Sequence, residues 1–169
     1  MATSILSDAF AHHVWATLRL LDACIPLGAA QLETAVPGTY GSILDTQRHL
    51  VGSDAWYLFR VTGDRGYQID EDHLDLSELR AAMEQHDAHW SRILGSDLDA
   101  DAVLVGRNED GSETHARTGI RIAQVLHHGT DHRSQIATAL TTLGIEPPGI
   151  DLWAYGEEVG GVVEVPPGS

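Results

Sequence analysis

Apolar residues return every three or four positions over four long stretches of the chain, and each stretch predicts an amphipathic helix. In the first, Phe10, Val14, Leu18, Leu21 and Ile25 make one stripe, from about Ser4 or Ser7 to Ile25, with Pro26 and Gly28 marking the end. The second opens with Ser42 as cap, runs to Thr62 and stops at Gly63; its LVGSDAWYLFRV core is apolar over most of its circumference, which predicts deep burial. The third spans about Ser77 to Leu94, with Leu79, Met83, His86, Trp90 and Ile93 inward. The fourth starts near Thr118 and ends at Gly144, before Pro147 and Pro148. Between the last two, Val103 to Val105 and Thr114 to Arg117 flank Glu109-Asp110-Gly111, the signature of a short β-hairpin.

These elements predict an all-α fold, a four-helix bundle of one domain over residues 1–169. The segment from Gly63 to Asp75 is long enough to run back along a helix, so a crossover connection between the second and third helices is expected. The tail GEEVGGVVEVPPGS is rich in glycine and proline, and its last residues are expected to be loose.

Composition narrows the function. The 169 residues carry a net charge of −15, with 10 Lys and Arg against 25 acids. Nucleic-acid binding draws most of its affinity from cationic side chains on phosphates, so no nucleic-acid partner is expected. No apolar run reaches the length of a membrane span, so no membrane partner is expected either. The N-terminus lacks signal-peptide character and Cys24 is the only cysteine, which suits a cytoplasmic location.

The 10 histidines are the unusual feature. Three fall within residues 127 to 132 on the fourth helix. At about 100° per residue, His132 lies roughly 20° and His128 roughly 60° from Val125 on the buried face, while His127 points to solvent near 200°. The i, i+4 spacing of His128 and His132 puts two imidazoles on adjacent turns, where one cation would satisfy both on leaving water. A third ligand must come from another helix. By angle His49 shares a face with Ser53, Trp56 and Arg60, and its position alone fits a boundary histidine as well as a ligand. His86, inside a buried stripe, reads as a core histidine bonded to a carboxylate, with a proton shuttle as the alternative. Arg133 fits either a substrate carboxylate or a salt bridge to a neighbouring acid. Asp131 reads as a solvated charge, Trp56, Tyr57 and Trp90 as packing, and Cys24 as a small hydrophobe. A carboxylate-bridged di-iron bundle is excluded, because the sequence has no Glu-x-x-His pair.

Four stretches carry a resemblance: HHVWATLRLLDAC, DTQRHLVGSDAWYL, QVLHHGTDHRSQIATALTTLG and PPGIDLWAYG. Together they resemble the DinB/YfiT-like family, and the most specific is the run His128-Gly129-Thr130-Asp131-His132-Arg133-Ser134-Gln135. The resemblance implies a four-helix bundle, a homodimer, and a divalent metal held by His49, His128 and His132. His127 and Ser134 depart from the residues usual in the family, and His13 stands where Asn is frequent, either lining the pocket or capping a bundle contact. Three imidazoles leave a coordination position open and suit zinc, nickel, copper or iron, with zinc or nickel the expected ion. Relatives of the family imply a metal-dependent thiol S-transferase joining a low-molecular-weight thiol to an electrophile. The alternatives are a metal-dependent hydrolase and a non-catalytic, metal-stabilised ligand-binding protein.

Overall fold

Ser4 caps the first helix by accepting from the Ser7 N–H, and α1 then runs over Ile5–Cys24. The computed structural model describes residues 4–108 and 110–167. A single turn, α2 (Ala29–Leu32), follows, and then α3 (Ile43–Thr62) and α4 (Leu76–Leu94). The hairpin pairs β1 (Val103–Arg107) with β2 (Glu113–Arg117), and α5 (Thr118–Thr142) and α6 (Leu152–Glu158) complete the chain.

The helix ends follow their local chemistry. Ser42 and Asp45 close a capping box at the start of α3, and Gly63 ends it in the left-handed region at φ 77°. Asp75 caps α4 by accepting from Ser77 and Glu78 N–H groups, which starts the helix one residue earlier than expected. The hairpin is antiparallel from Val103 opposite Arg117 to Arg107 opposite Glu113, longer than expected at both strands. Of its turn, Asp110 and Gly111 are described, whereas Glu109 lies outside the described residues.

Side-chain pairs fix the topology. His13 meets Asp54 and Cys24 meets Gln47, so α1 and α3 are antiparallel. Phe10 packs on Trp90 while Asp22 pairs with Arg80, so α1 and α4 are antiparallel as well. The expected crossover is present: after Thr62 the chain returns along α3 through two 3₁₀ turns, Arg65–Tyr67 and Glu71–His73. It arrives where Arg48 Nε donates to the Leu74 carbonyl (3.1 Å). Consequently α3 and α4 run parallel, and α5 lies antiparallel to α3, bringing His128 to His49 and Gln135 to Tyr40.

The core holds Leu20, Leu21, Leu50, Leu58, Leu79, Met83, Trp90, Ile136 and Leu140. All five inward residues expected on α4 are buried. On α1 the buried face is rotated from the expected stripe: Thr17, Leu20 and Cys24 are inside, Leu18 lies at the edge and Ile25 is exposed. Residue 25 is the C-cap, where the stripe has already left the core.

The beginning of the tail forms the last turn of α6, a helix whose N-terminus Asp151 caps. Glu158 then accepts from Trp15 Nε1 (3.0 Å) and Arg19 Nη1 (2.9 Å), fastening α6 across α1. Gly161 and Val162 N–H groups both return to the Gly156 carbonyl. The final residues, 168 and 169, lie outside the described residues. Among the described residues no helix is long and apolar enough to cross a membrane.

Candidate metal centre

His49 sits two turns into α3, and His128 and His132 stand one turn apart on the facing side of α5. The three side chains converge. His128 Nε2 is 3.1 Å from His49 Nε2 and 3.1 Å from His132 Nε2, and one nitrogen from each ring lies within 4.8 Å of the others. A single proton on His128 Nε2 can bridge to one neighbour and not to both. A cation can serve all three. Ligation at about 2.0–2.1 Å would set the nitrogens roughly 3.3 Å apart, close to the two 3.1 Å separations at His128. The donor set therefore fits a divalent metal of the first transition series.

Surrounding groups hold the rings in the orientation ligation needs. Gln135 Oε1 accepts the Tyr40 N–H (2.9 Å) and lies 3.1 Å from His132 Nδ1. The Tyr40 amide requires an acceptor there, so the Gln135 oxygen faces both partners and His132 Nδ1 donates to it. That leaves His132 Nε2 with its lone pair toward the cluster. The Tyr40 ring stacks on His49, with centroids 4.0 Å apart and planes at 10°. Burial lowers the pKa of His49, with His132 adding to it. Burial, with repulsion from His132 and His49, brings His128 down to about 4. Both are therefore neutral at pH 7, the form a metal requires.

Two shallow grooves open on either side of His49. One, about 270 Å³, is bounded by Tyr40, Asp45, Arg48 and Glu71; the other, about 230 Å³, by Ser53, Trp56, Gln68 and Glu71. Glu71 reaches this position because α3 has no side chain at Gly52, where a Cβ would come within 2.3 Å of Glu71 Cδ. Burial raises the Glu71 pKa, and Asp72 and Asp70 beside it raise it further. Glu71 and Tyr40 escaped the sequence reading. The helix-interior Gly52 was the available sign that another group approaches closely.

Behind the histidines lies a buried polar network. Asp54 accepts from His13 Nε2 (3.0 Å) and Trp90 Nε1 (3.0 Å), and His86 Nδ1 is 2.7 Å from its second oxygen, off the line of a good hydrogen bond. Burial disfavours the Asp54 charge, but the hydrogen bond from His13 and the His86 ring beside it outweigh burial and hold the carboxyl below its ordinary range. His86 is thus a core histidine beside a carboxylate, as expected. His13 belongs to the core and does not line either groove. Arg133 meets neither expected partner: it is buried, and its Nη1 contacts His13 Nδ1 (2.8 Å) and Thr17 Oγ1 (3.4 Å) instead of an acid. Burial pushes its pKa down to about 10, with Asp54 acting in the opposite sense. His127 and Asp131 are exposed, Trp90 and Cys24 are in the core, and Trp56 borders a groove as well as packing.

A bundle in which two helices present three converging imidazoles beside open grooves defines a class of candidate metal proteins. The sequence matches the DinB family over residues 1–159, and the chain belongs to that family. Its structure is similar to the 2.01 Å crystal structure of a DinB-like protein from Bacillus cereus. The TM-score is 0.60 at 14% identity, covering 85% of this chain and 94% of the other. No curated protein matches the sequence.

Proposed function

We propose that this protein is a metal-dependent thiol S-transferase, with His49, His128 and His132 as the metal ligands. The observation that carries the reading is the convergence of three imidazole nitrogens, which shared protons cannot satisfy together, with His49 bordering two solvent-open grooves. Closed structural sites recruit a fourth protein ligand, whereas three leave room for a ligand from solution.

The chain's own residues supply the framework. His49 and the α5 pair hold the cation from two helices, Gln135 and Tyr40 fix two of the rings, and the grooves admit a thiol and an electrophile beside His49. When bound, zinc or nickel lowers the pKa of an incoming thiol so that it reacts as the thiolate. Sulfur then bonds to the electrophilic carbon as the carbon's bond to its leaving group breaks. The leaving group departs with that electron pair, and the thiol proton passes to solvent. We take the working unit to be a cytoplasmic homodimer, which sedimentation of the purified chain tests.

Elemental analysis of untagged protein, followed by a screen of small thiols against haloaromatic and epoxide electrophiles, tests the function. One metal per chain, and turnover abolished by His128→Ala with the helical signal retained, is the expected result. Stoichiometric metal with no turnover for any thiol, together with a large stability loss on chelation, would replace the enzyme reading with a structural one.

A further inference from the structure

All ten cationic side chains in this acidic sequence are arginines, spread along the chain but gathered by the fold. Arg60 on α3, Arg65 on the crossover and Arg107 on β1 border one groove of about 560 Å³, together with Trp56, Phe59 and Gln68. That volume lies in the range of small-molecule sites. Arg107 is committed to Glu113 (3.1 Å). Among the described residues, Arg60 and Arg65 have no carboxylate within ion-pair distance, despite 25 acids in the sequence. Arg121, buried next to them, donates from Nη2 to the Leu104 carbonyl (3.3 Å), and among the described residues it meets no acid and its Nε has no partner. Burial lowers the Arg121 pKa, and repulsion from Arg60 adds to the effect.

Arg60 is held in place. Its Cζ lies 5.1 Å from the Trp56 ring centre and 6.0 Å from that of Phe59, and the Arg65 Cζ is 5.7 Å from Phe59. Such stacking occupies the faces of a guanidinium and leaves its in-plane N–H donors free for a carboxylate. Gly106 makes room for this arrangement, since a Cβ there would fall 1.0 Å from Arg60 Nη2. Trp56 and Gln68 border both this groove and the one beside His49, so the two are continuous along one face of α3. From residue 49 to residue 60 that face rises roughly 16 Å.

We infer that the groove between α3, the crossover and β1 is a subsite for the carboxylate of an elongated organic acid, held by Arg60 and Arg65, with the rest of the ligand lying along Trp56 toward the three histidines. What the far end of the ligand does there rests on the proposed function. The carboxylate contacts do not, because they need no metal.

Titration calorimetry on the full-length, chelator-treated chain separates the two. The probes are 4-phenylbutyrate, its neutral amide, and inorganic phosphate. The acid binds, and the amide binds about tenfold more weakly or worse, as expected for loss of a charge-assisted contact. The Arg60→Gln/Arg65→Gln double variant loses a similar factor. Gly106→Val, which keeps every charge but displaces the Arg60 guanidinium, does the same. Arg19→Ala, which removes an exposed arginine that does not line the groove, binds the acid as the parent chain does. Equal binding of acid and amide, unchanged affinity in folded Arg60→Gln/Arg65→Gln and Gly106→Val variants, or loss of the acid in Arg19→Ala would overturn the subsite. Tighter binding of phosphate than of the acid would overturn its assignment to carboxylates. Failure of metal binding or thiol transfer would leave these results standing and count only against the proposed function.

Discussion

Arg133 Nη1 approaches His13 Nδ1 to 2.8 Å in the interior of the bundle. A guanidinium only donates, so Nδ1 carries no proton and the hydrogen is on Nε2, where it is given to Asp54. A neutral ring therefore joins a buried cation to a buried anion. Burial, with Arg133 contributing, lowers the His13 pKa and keeps the ring in that form. Each charge depends on the bridge between them.

Asp54→Asn breaks that bridge. It removes the anion, leaves the Arg133 charge buried without compensation, and costs about 3–5 kcal/mol. Urea unfolding measures the loss. A change below about 1 kcal/mol would show that the network does not stabilise the bundle. Arg19→Ala, which severs an exposed pair with Glu158, is the contrasting case, expected to cost about 1 kcal/mol or less.

Gly129 lies against the same bridge. A Cβ there would stand 2.4 Å from His13 Cε1 and 2.8 Å from Arg133 Nη1, both buried. Gly129→Ala is expected to destabilise the fold by about 1–3 kcal/mol through overpacking, although alanine is the better helix former. An increase in melting temperature would show that the contact relaxes freely.

Gln135→Leu keeps all three candidate ligands but removes the acceptor that orients His132 and anchors Tyr40. Metal affinity is expected to fall by about 10–100-fold, read by competition with a chromophoric chelator. Parent-like affinity would show that ring orientation is set elsewhere.

Acid should weaken the metal-free fold in a defined window. The pKa values of His13, His49 and His128 are lowered in the folded chain, His128 to about 4 from an ordinary 6.5. Between those values the unfolded chain takes up protons that the folded chain refuses, so stability falls as pH drops below 6.5. The Asp54 pKa is lowered too, but for a carboxylate that favours the folded state, so its contribution persists through this window and is lost only as pH falls through its own folded value. Denaturation midpoints of chelator-treated protein at pH 7, 5.5 and 4.5 should decline in that order; a level profile would contradict it.

The helices were legible because their ends carry their own signals: Ser42 and Asp45, then Gly63, bound α3 as read. Angular position also separated buried His132 from exposed His127. Periodicity says little about a polar residue inside an apolar run, and Asp54, the centre of the network, sits in one. Tyr40 and Glu71 lie in connections, where no repeat indicates direction. The arginine groove was hidden for a related reason. Residues 60, 65, 107 and 121 are distant in sequence, and only the crossover and the hairpin bring them together.

The crossover and the long link to α5 also place the candidate ligands 79 residues apart along the chain. A cation seated between them would act as a reversible staple closing a very large loop, and such closures restrict the disordered chain most. Metal supply would then set how long each molecule survives before it opens, as well as whether it is competent to react.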